Sequence, residues 1–153
     1  MSTDKVLNKV KGICKETRTK DKRIVLIVEK EKMKELAKEL RDMGFDHVKS
    51  VTGIDYPQKG QMEVIYHISS YQDPELMGII VEIRTTVDRD RPELPSLVDI
   101  WPSAEYLERE EYDLMGIIFK GHPELKRLLL PEDYEGIPPL RKDFKIPTEG
   151  IEA

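Results

Sequence analysis

Met62-Glu63-Val64-Ile65-Tyr66-His67-Ile68-Ser69-Ser70, then Gly78-Ile79-Ile80-Val81-Glu82-Ile83-Arg84-Thr85-Thr86-Val87, are the two runs whose reading decides the fold. The first alternates apolar and polar side chains at several positions, the period-two pattern of a strand with one buried face. The second is dense in β-branched residues, which suit a pleated, half-buried surface. Between them Tyr71 to Met77, with Asp73-Pro74, reads as a connection. Upstream, Asp55 to Gln61 reads as a turn built on Pro57 and Gly60, and Phe45 to Ile54 as a further strand of imperfect alternation. Strands joined through short turns favour an antiparallel sheet. Helices then gather on one side of it, so the expected fold is an α+β sandwich with a mostly antiparallel sheet.

The helices follow the other period. Val6, Leu7, Val10, Ile13 and Cys14 recur at helical spacing and predict an amphipathic helix over residues 4–17. Met33, Leu36, Ala37, Leu40 and Met43 mark a second helix, with Gly44 as its C-terminal cap. Between these two, Arg23 to Glu29 is a continuous β-branched run, read as a strand central in its sheet or covered on both faces.

Beyond the charged loop Asp88-Arg89-Asp90-Arg91-Pro92, Ser96 is placed to cap a short helix over Leu97 to Trp101. Then comes Glu108-Arg109-Glu110-Glu111-Tyr112-Asp113-Leu114-Met115-Gly116, which packs five charged residues around one helix end. Ser103 is a good N-cap residue for this helix, Glu105 suits the positive end of its dipole, and Gly116 suits its C-terminal end. Ala104, Leu107, Leu114 and Met115 fall on one face, with Ile118 continuing the run. Arg109 and Asp113 stand four residues apart, away from that face, at a spacing that allows an ion pair. Glu108 lies at the edge of the apolar face and Glu111 near its middle. A carboxylate there is costly to bury unless a cation meets it. Either the face is partly open, or a basic residue comes from elsewhere. After Lys120-Gly121, Pro123 suits the first position of another helix, over residues 123–130.

From Pro131 onward, Pro131, Gly136, Pro138, Pro139 and Pro147 punctuate a segment too irregular to build its own core. Tyr134, Leu140 and Phe144, interleaved with Arg141, Lys142 and Asp143, favour an extended tail lying on a neighbour over a disordered one. The chain thus divides into one α+β domain over residues 1–130 and an irregular C-terminal docking tail over 131–153.

Residues 95–144 resemble the 30-kilodalton, C-type subunit family of respiratory complex I, which includes the matching subunits of archaeal membrane-bound nickel–iron hydrogenases. The resemblance rests on several separated elements in order: Glu108-Arg109-Glu110, Asp113, Gly116, Phe119-x-x-His122-Pro123, Leu125-x-Arg127 and Pro139-Leu140-Arg141-Lys142-Asp143-Phe144. Two positions depart from the family pattern. Glu111 stands where a small or apolar residue is commoner, and Pro138-Pro139 replaces a single proline. The resemblance implies an accessory subunit of the cytoplasmic peripheral arm of an ion-translocating oxidoreductase, without a redox centre of its own. Its partners would be the catalytic large subunit and iron–sulfur subunits, with integral subunits supplying an indirect membrane link. A nickel–iron centre and iron–sulfur clusters would then reside in those partners. On this reading Glu108, Arg109, Glu110, Asp113, Gly116, His122, Pro123, Arg127, Leu140, Arg141, Lys142, Asp143 and Phe144 form the signature and interface set. The helix and Arg141-Lys142-Asp143 would make a charged lock, whose pairs could close within the chain or across the interface.

Composition bounds the alternatives. At 153 residues the chain amounts to one domain, long enough to bury a real core. Charged residues make up 36%, rich in Lys and Glu, and Asn8 is the only asparagine. That pattern suggests a protein from a hot environment, with a plain charge-rich surface as the alternative. A net charge of -5 argues against nucleic acid as a partner. No apolar run approaches the ~20 residues that cross a bilayer. The start, Met1-Ser2-Thr3-Asp4-Lys5, lacks a signal-peptide layout, so a cytoplasmic, peripheral placement is expected. The single cysteine, Cys14, cannot ligate a cluster by itself and is expected to be a small core residue.

The residues offer little for catalysis. His47, His67 and His122 are in no metal-binding spacing, and the glycines are too scattered for a phosphate loop. His122 reads as a helix cap or a carboxylate partner before a catalytic base. Glu108, Glu110 and Glu111 could raise one another's pKa, but Arg109 beside them favours a salt-bridge network. Trp101, Tyr106 and Tyr112 read as core or interface, and Arg127, Arg141 and Lys142 as protein contacts. No catalytic, cofactor or metal residues are expected in this chain. Within the family the short chain, the absence of a long C-terminal extension and the composition favour the hydrogenase branch. An NADH (or other donor):quinone oxidoreductase or a sulfur-reducing relative is the alternative. A different class, a free-standing adaptor or small-molecule enzyme, would be recognised by turnover as a lone monomer.

Overall fold

The computed structural model describes residues 3–127, 129–130 and 136–143. In chain order the elements are α1 (Thr3–Val10), β1 (Glu16–Lys20), β2 (Arg23–Ile27), α2 (Met33–Met43), β3 (His47–Tyr56), β4 (Gln61–Ser69), β5 (Ile80–Asp88), β6 (Glu93–Pro95), α3 (Ala104–Met115) and β7 (Ile118–Lys120). Strands β1 to β5 form one sheet in the order β1-β2-β5-β4-β3, while β6 and β7 pair separately. The fold is α+β, as expected, but the sheet is mixed: β2 runs parallel to β5, and the other three pairs are antiparallel. The parallel pair places α2, β3 and β4 in the crossover between β2 and β5.

The register aligns alternate residues of each strand into the two faces. Leu26, Ile83, Tyr66 and Val51 lie opposite one another across four strands, flanked by the rows containing Val64 with Gly53 and Met62 with Asp55. On this side Val6 and Val10 of α1, Met33, Leu36, Ala37 and Leu40 of α2, and Ala104 and Met115 of α3 complete the core. Phe45, Trp101 and Phe119 fill the spaces between the layers, and the Trp101 indole donates to the Phe45 carbonyl at 2.8 Å. Cys14 packs half-buried against this core, where burial pushes its thiol up to about 11. It is an inert filler, since the thiolate is the reactive form.

Several elements differ from the sequence reading, the unforeseen strands β6 and β7 among them. The first helix ends at Val10 and the chain turns at Lys11–Ile13, because the following residues form the edge strand β1. Its sequence, Glu-Thr-Arg-Thr-Lys, has almost no buried side chain to give it a period. A tight turn with Asp21 at φ 56° then returns the chain into β2. The Leu97–Trp101 segment is a single turn, in which the Ser96 hydroxyl accepts from Val98 N–H. Residues 123–127 and 129–130 are turns and bends in place of a helix. Tyr134, Phe144, Pro131 and Pro147 lie outside the described residues.

Candidate functional site

The α3 helix carries the signature residues, and its inward face is charged where an apolar stripe was expected. Glu108, Arg109, Glu111 and Asp113 are all buried, whereas Leu107 and Leu114 are only partly so. Each buried charge has a distinct set of partners. The Glu108 carboxylate accepts from the Tyr66 hydroxyl at 2.6 Å, the Ser96 hydroxyl at 2.5 Å and Leu97 N–H at 2.9 Å. These donors are uncharged. Burial raises the Glu108 carboxyl above the usual range, against the opposing pull of the Leu97, Ser96 and Tyr66 hydrogen bonds. Burial beside this carboxylate likewise pushes the Tyr66 phenol well up.

Glu111 resolves the alternatives posed for it in a third way. It is 9% exposed, and neither an open face nor a cation explains it. Its Oε2 accepts from Gly53 N–H at 3.1 Å, and burial pushes the carboxyl up to about 7. The neutral form therefore carries much of its population near neutral pH. Gly53 is needed for this approach: a Cβ there would stand 2.9 Å from Ile117 Cδ1 and 3.0 Å from Glu111 Oε2.

Arg109 and Asp113 do not form the expected ion pair with each other. Arg109 donates from Nε to the Lys126 carbonyl and from Nη2 to the Arg127 carbonyl, at 3.2 and 3.1 Å. Asp113 accepts from Leu129 N–H at 2.6 Å and Leu130 N–H at 2.9 Å, and pairs with Arg127 at 3.4 Å. The two side chains thus hold carbonyls and amides of one downstream segment. This is why that segment is not a helix: its backbone groups find partners on α3. Arg127 also lies over the Tyr112 ring at 5.3 Å. Glu110 points to solvent, so the expected carboxylate–arginine network at Glu108, Glu110 and Glu111 does not form.

The helix ends also differ in how they are held. Ser103 has helical backbone angles and makes no side-chain cap; its hydroxyl accepts from Val48 N–H at 3.3 Å, tying α3 to β3. Gly116 is the C-terminal cap, at φ 79°. A side chain there would meet Pro138 and the Arg141 guanidinium, so its absence serves conformation and close packing together. His122 closes the following turn. Its Nε2 is 2.9 Å from the Glu105 carbonyl, which can only accept, and its Nδ1 accepts from Glu124 N–H. Both ring nitrogens are occupied, in the neutral tautomer, by a structural task. Pro123 follows in an exposed turn.

Residues 136–143 return to the domain. Leu140 N–H donates to the Leu114 carbonyl, Arg141 Nε to the Met115 carbonyl at 2.8 Å, and Lys142 N–H to Asp55 at 2.8 Å. Asp55 is buried on β3 and receives both arms of Arg89, at 2.7 and 3.0 Å, while Asp143 reaches Arg89 at 2.9 Å. The Arg89 guanidinium holds the Asp55 carboxyl below the usual range. These pairs close within the chain, and the partners of Arg141, Lys142 and Asp143 are not side chains of the charged helix.

Asp55, Arg89 and Tyr66 were missed from sequence, and Ser96 was read as a cap without its bond to Glu108. The signal for Asp55 was present: Val51, Gly53 and Asp55 keep one strand period into what was read as a turn. Tyr66 likewise shares the period of Met62, Val64 and Ile68. The opposite face of the sheet carries its own polar network, in which Ser50, His67, Glu82 and Val25 lie in one row. His67 bridges the Ser50 hydroxyl and Glu82, each at 3.0 Å, and Arg84 links Glu82 to Glu63. Among the described residues no three or more His, Cys, Asp or Glu are arranged to hold a metal ion. No helix among them is long and apolar enough to cross a membrane.

The architecture is a mixed five-stranded sheet whose signature helix spends its buried charges on groups of the same chain. Residues 26–150 match the family described as the respiratory-chain NADH dehydrogenase 30 Kd subunit, and the chain belongs to that family. It is 45% identical over 124 residues to the C-type subunit of F(420)H(2) dehydrogenase from Methanosarcina mazei, covering 80% of this chain and 76% of the relative. It is 44% identical over 128 residues to the C-type subunit of NADH-quinone oxidoreductase from Moorella thermoacetica, covering 83% of each. Its fold is shared with a chain of the membrane-bound sulfane sulfur reductase, an archaeal respiratory membrane complex. There the TM-score is 0.81 at 24% identity, covering 95% of this chain and 86% of that one. The trypsin-resistant fragment of Nqo5 aligns with a TM-score of 0.69 at 30% identity, over 82% of this chain and all of the fragment.

Proposed function

We propose that this chain is an accessory subunit, without a redox centre of its own, in the peripheral arm of a membrane-bound, ion-translocating oxidoreductase. The observation that carries this reading is the use of the α3 charges. Glu108, Arg109 and Asp113 are spent on hydrogen bonds that shape the chain itself. The sole cysteine supports the same view, because cluster ligation takes several thiolates. Iron–sulfur clusters would be held by partner subunits. Docking would be on the catalytic large subunit, at the cytoplasmic face, with the membrane reached through integral subunits.

The relatives bear on the branch. The two sequence relatives named above are subunits of enzymes named for F(420)H(2) or NADH, at 45% and 44% identity. This favours a complex that oxidises a soluble hydride carrier over the hydrogenase branch, which rests on composition and chain length. The test is purification of the complex from native membranes through this chain, followed by assays with reduced F420, NADH and H2 as alternative donors. Turnover with either hydride carrier supports the reading. Turnover with H2 and a nickel–iron large subunit would return the assignment to the hydrogenase branch. Purification as a lone, active monomer would defeat the accessory-subunit reading.

A further inference from the structure

The two edges of the five-stranded sheet are held differently. At the β3 edge α3 supplies acceptors: the Ser103 hydroxyl takes Val48 N–H at 3.3 Å, and Glu111 takes Gly53 N–H at 3.1 Å. At the other edge β1 pairs only with β2. Ile80 N–H donates to the Lys22 carbonyl and Val28 N–H to the Arg84 carbonyl, so the even-numbered residues of β2 serve β5. Arg23, Val25 and Ile27 therefore serve β1, and their register partners Lys20, Arg18 and Glu16 bond inward. The main-chain groups of Thr17 and Thr19 point away from the sheet, and no group among the described residues bonds to them.

This edge is also where the chain concentrates positive charge. The first 23 residues hold eight Lys and Arg against three Asp and Glu, a net +5, while the remaining 130 hold 17 against 27, a net -10. Lys20 and Lys22 flank the exposed hairpin tip and form no ion pair among the described residues. Arg18 has only an exposed contact with Glu16, at 3.1 Å, of a kind worth little. The register places Arg18 and Lys20 on the sheet face away from the helices, alternating with the outward main-chain groups of Thr17 and Thr19. Basic side chains on an edge strand guard it against pairing. That guard works against a like-charged strand, including a second copy of β1. Toward an acidic strand the same side chains attract, which makes the edge selective.

We propose that β1 is a docking edge for an extended, acidic segment of a partner polypeptide, which adds to the sheet as a further strand. Its main chain bonds to Thr17 and Thr19, and its carboxylates meet Arg18 and Lys20. A lipid surface is the poorer fit, because no large apolar side chain is exposed among residues 3–23 to enter it. The inference stands apart from the accessory-subunit reading and from the choice of electron donor.

The probe is a labelled short peptide alternating Thr and Glu, titrated into the full-length chain. A peptide alternating Thr and Lys and vesicles containing phosphatidylglycerol serve as comparisons. The acidic peptide is expected to bind, to protect the Thr17 and Thr19 amides from hydrogen exchange, and to weaken as salt rises. Arg18→Glu combined with Lys20→Glu should lower its affinity about tenfold and bring in the basic peptide instead. Thr17→Pro removes one outward N–H without changing charge, at a place where an edge strand tolerates proline, and should abolish binding. Equal binding of the acidic and basic peptides overturns the charge selection. Binding that leaves the wild-type Thr17 and Thr19 amides unprotected overturns strand addition, whether or not Thr17→Pro folds. No binding of the acidic peptide overturns the proposal, and capture by the vesicles in that case assigns the basic edge to lipid headgroups.

Discussion

The Tyr66 hydroxyl, on the interior strand β4, donates to the Glu108 carboxylate of α3 at 2.6 Å with both side chains fully buried. This bond joins sheet to helix through the core, and the same carboxylate anchors the Ser96-Leu97 turn. Glu108→Ala would orphan three donors in a closed space, each worth about 1–3 kcal/mol. We expect a loss of about 3 kcal/mol or more in urea unfolding. Glu108→Gln should lose much less, since its carbonyl can serve Tyr66 and Leu97 while its amide meets the Ser96 oxygen.

Glu111 predicts a pH dependence whose sign is opposite to ordinary acid denaturation. Its folded carboxyl lies near 7, above its unfolded value of 4.5. The associated stability is fully present below the unfolded value and is lost as pH rises through 7. Across that window the loss is on the order of 3 kcal/mol. Urea midpoints at pH 5.5 and 8 should show the decline in wild type and a flatter profile in Glu111→Gln, which keeps an acceptor for Gly53.

Gly53→Ala tests the seam between α3 and β3. The added methyl would press on Ile117, Glu111 and Met115 at 2.9 to 3.3 Å. Over-packing of this kind typically costs about 1–3 kcal/mol. The thermal midpoint should fall, and Glu111→Ala in the same chain should restore part of the loss by vacating one of the opposing atoms.

Asp113→Ala should release the segment after His122 without unfolding the sheet. Leu129 and Leu130 amides lose their acceptor. A penalty of about 2–3 kcal/mol follows from two unmet amides. Hydrogen exchange resolves the prediction locally: faster exchange at Leu129 and Leu130, with β4 amides unchanged.

Much of the fold was legible because apolar period and burial coincide. Met62, Val64, Tyr66 and Ile68 announce β4, and Met33, Leu36, Ala37 and Leu40 announce α2 up to its glycine cap. The illegible parts are those where side chains satisfy backbone. Edge strand β1 has no buried face to leave a period. Residues 123–130 look helical from Pro123 and four leucines, yet the Lys126 and Arg127 carbonyls and the Leu129 and Leu130 amides are claimed by Arg109 and Asp113. In the candidate site the dense charge of α3 was visible, and so was the cost of burying Glu111. The partners were not, because carboxylates met by uncharged groups, Glu111 by Gly53 and Glu108 by Ser96 and Tyr66, leave no charged complement in the sequence to search for. The parallel β2–β5 pair was hidden too, since neighbouring strands in space are separated by α2, β3 and β4 in the chain.

The grip of Arg109 and Asp113 on main-chain groups separates two kinds of mutational tolerance. The bonds reach carbonyls of Lys126 and Arg127 and amides of Leu129 and Leu130, groups that every residue but proline supplies in full. Identity in the gripped segment is therefore cheap to change at those bonds, while identity in the helix is not. The shape of one stretch is encoded in another, and the codons that protect residues 126, 127, 129 and 130 lie in α3.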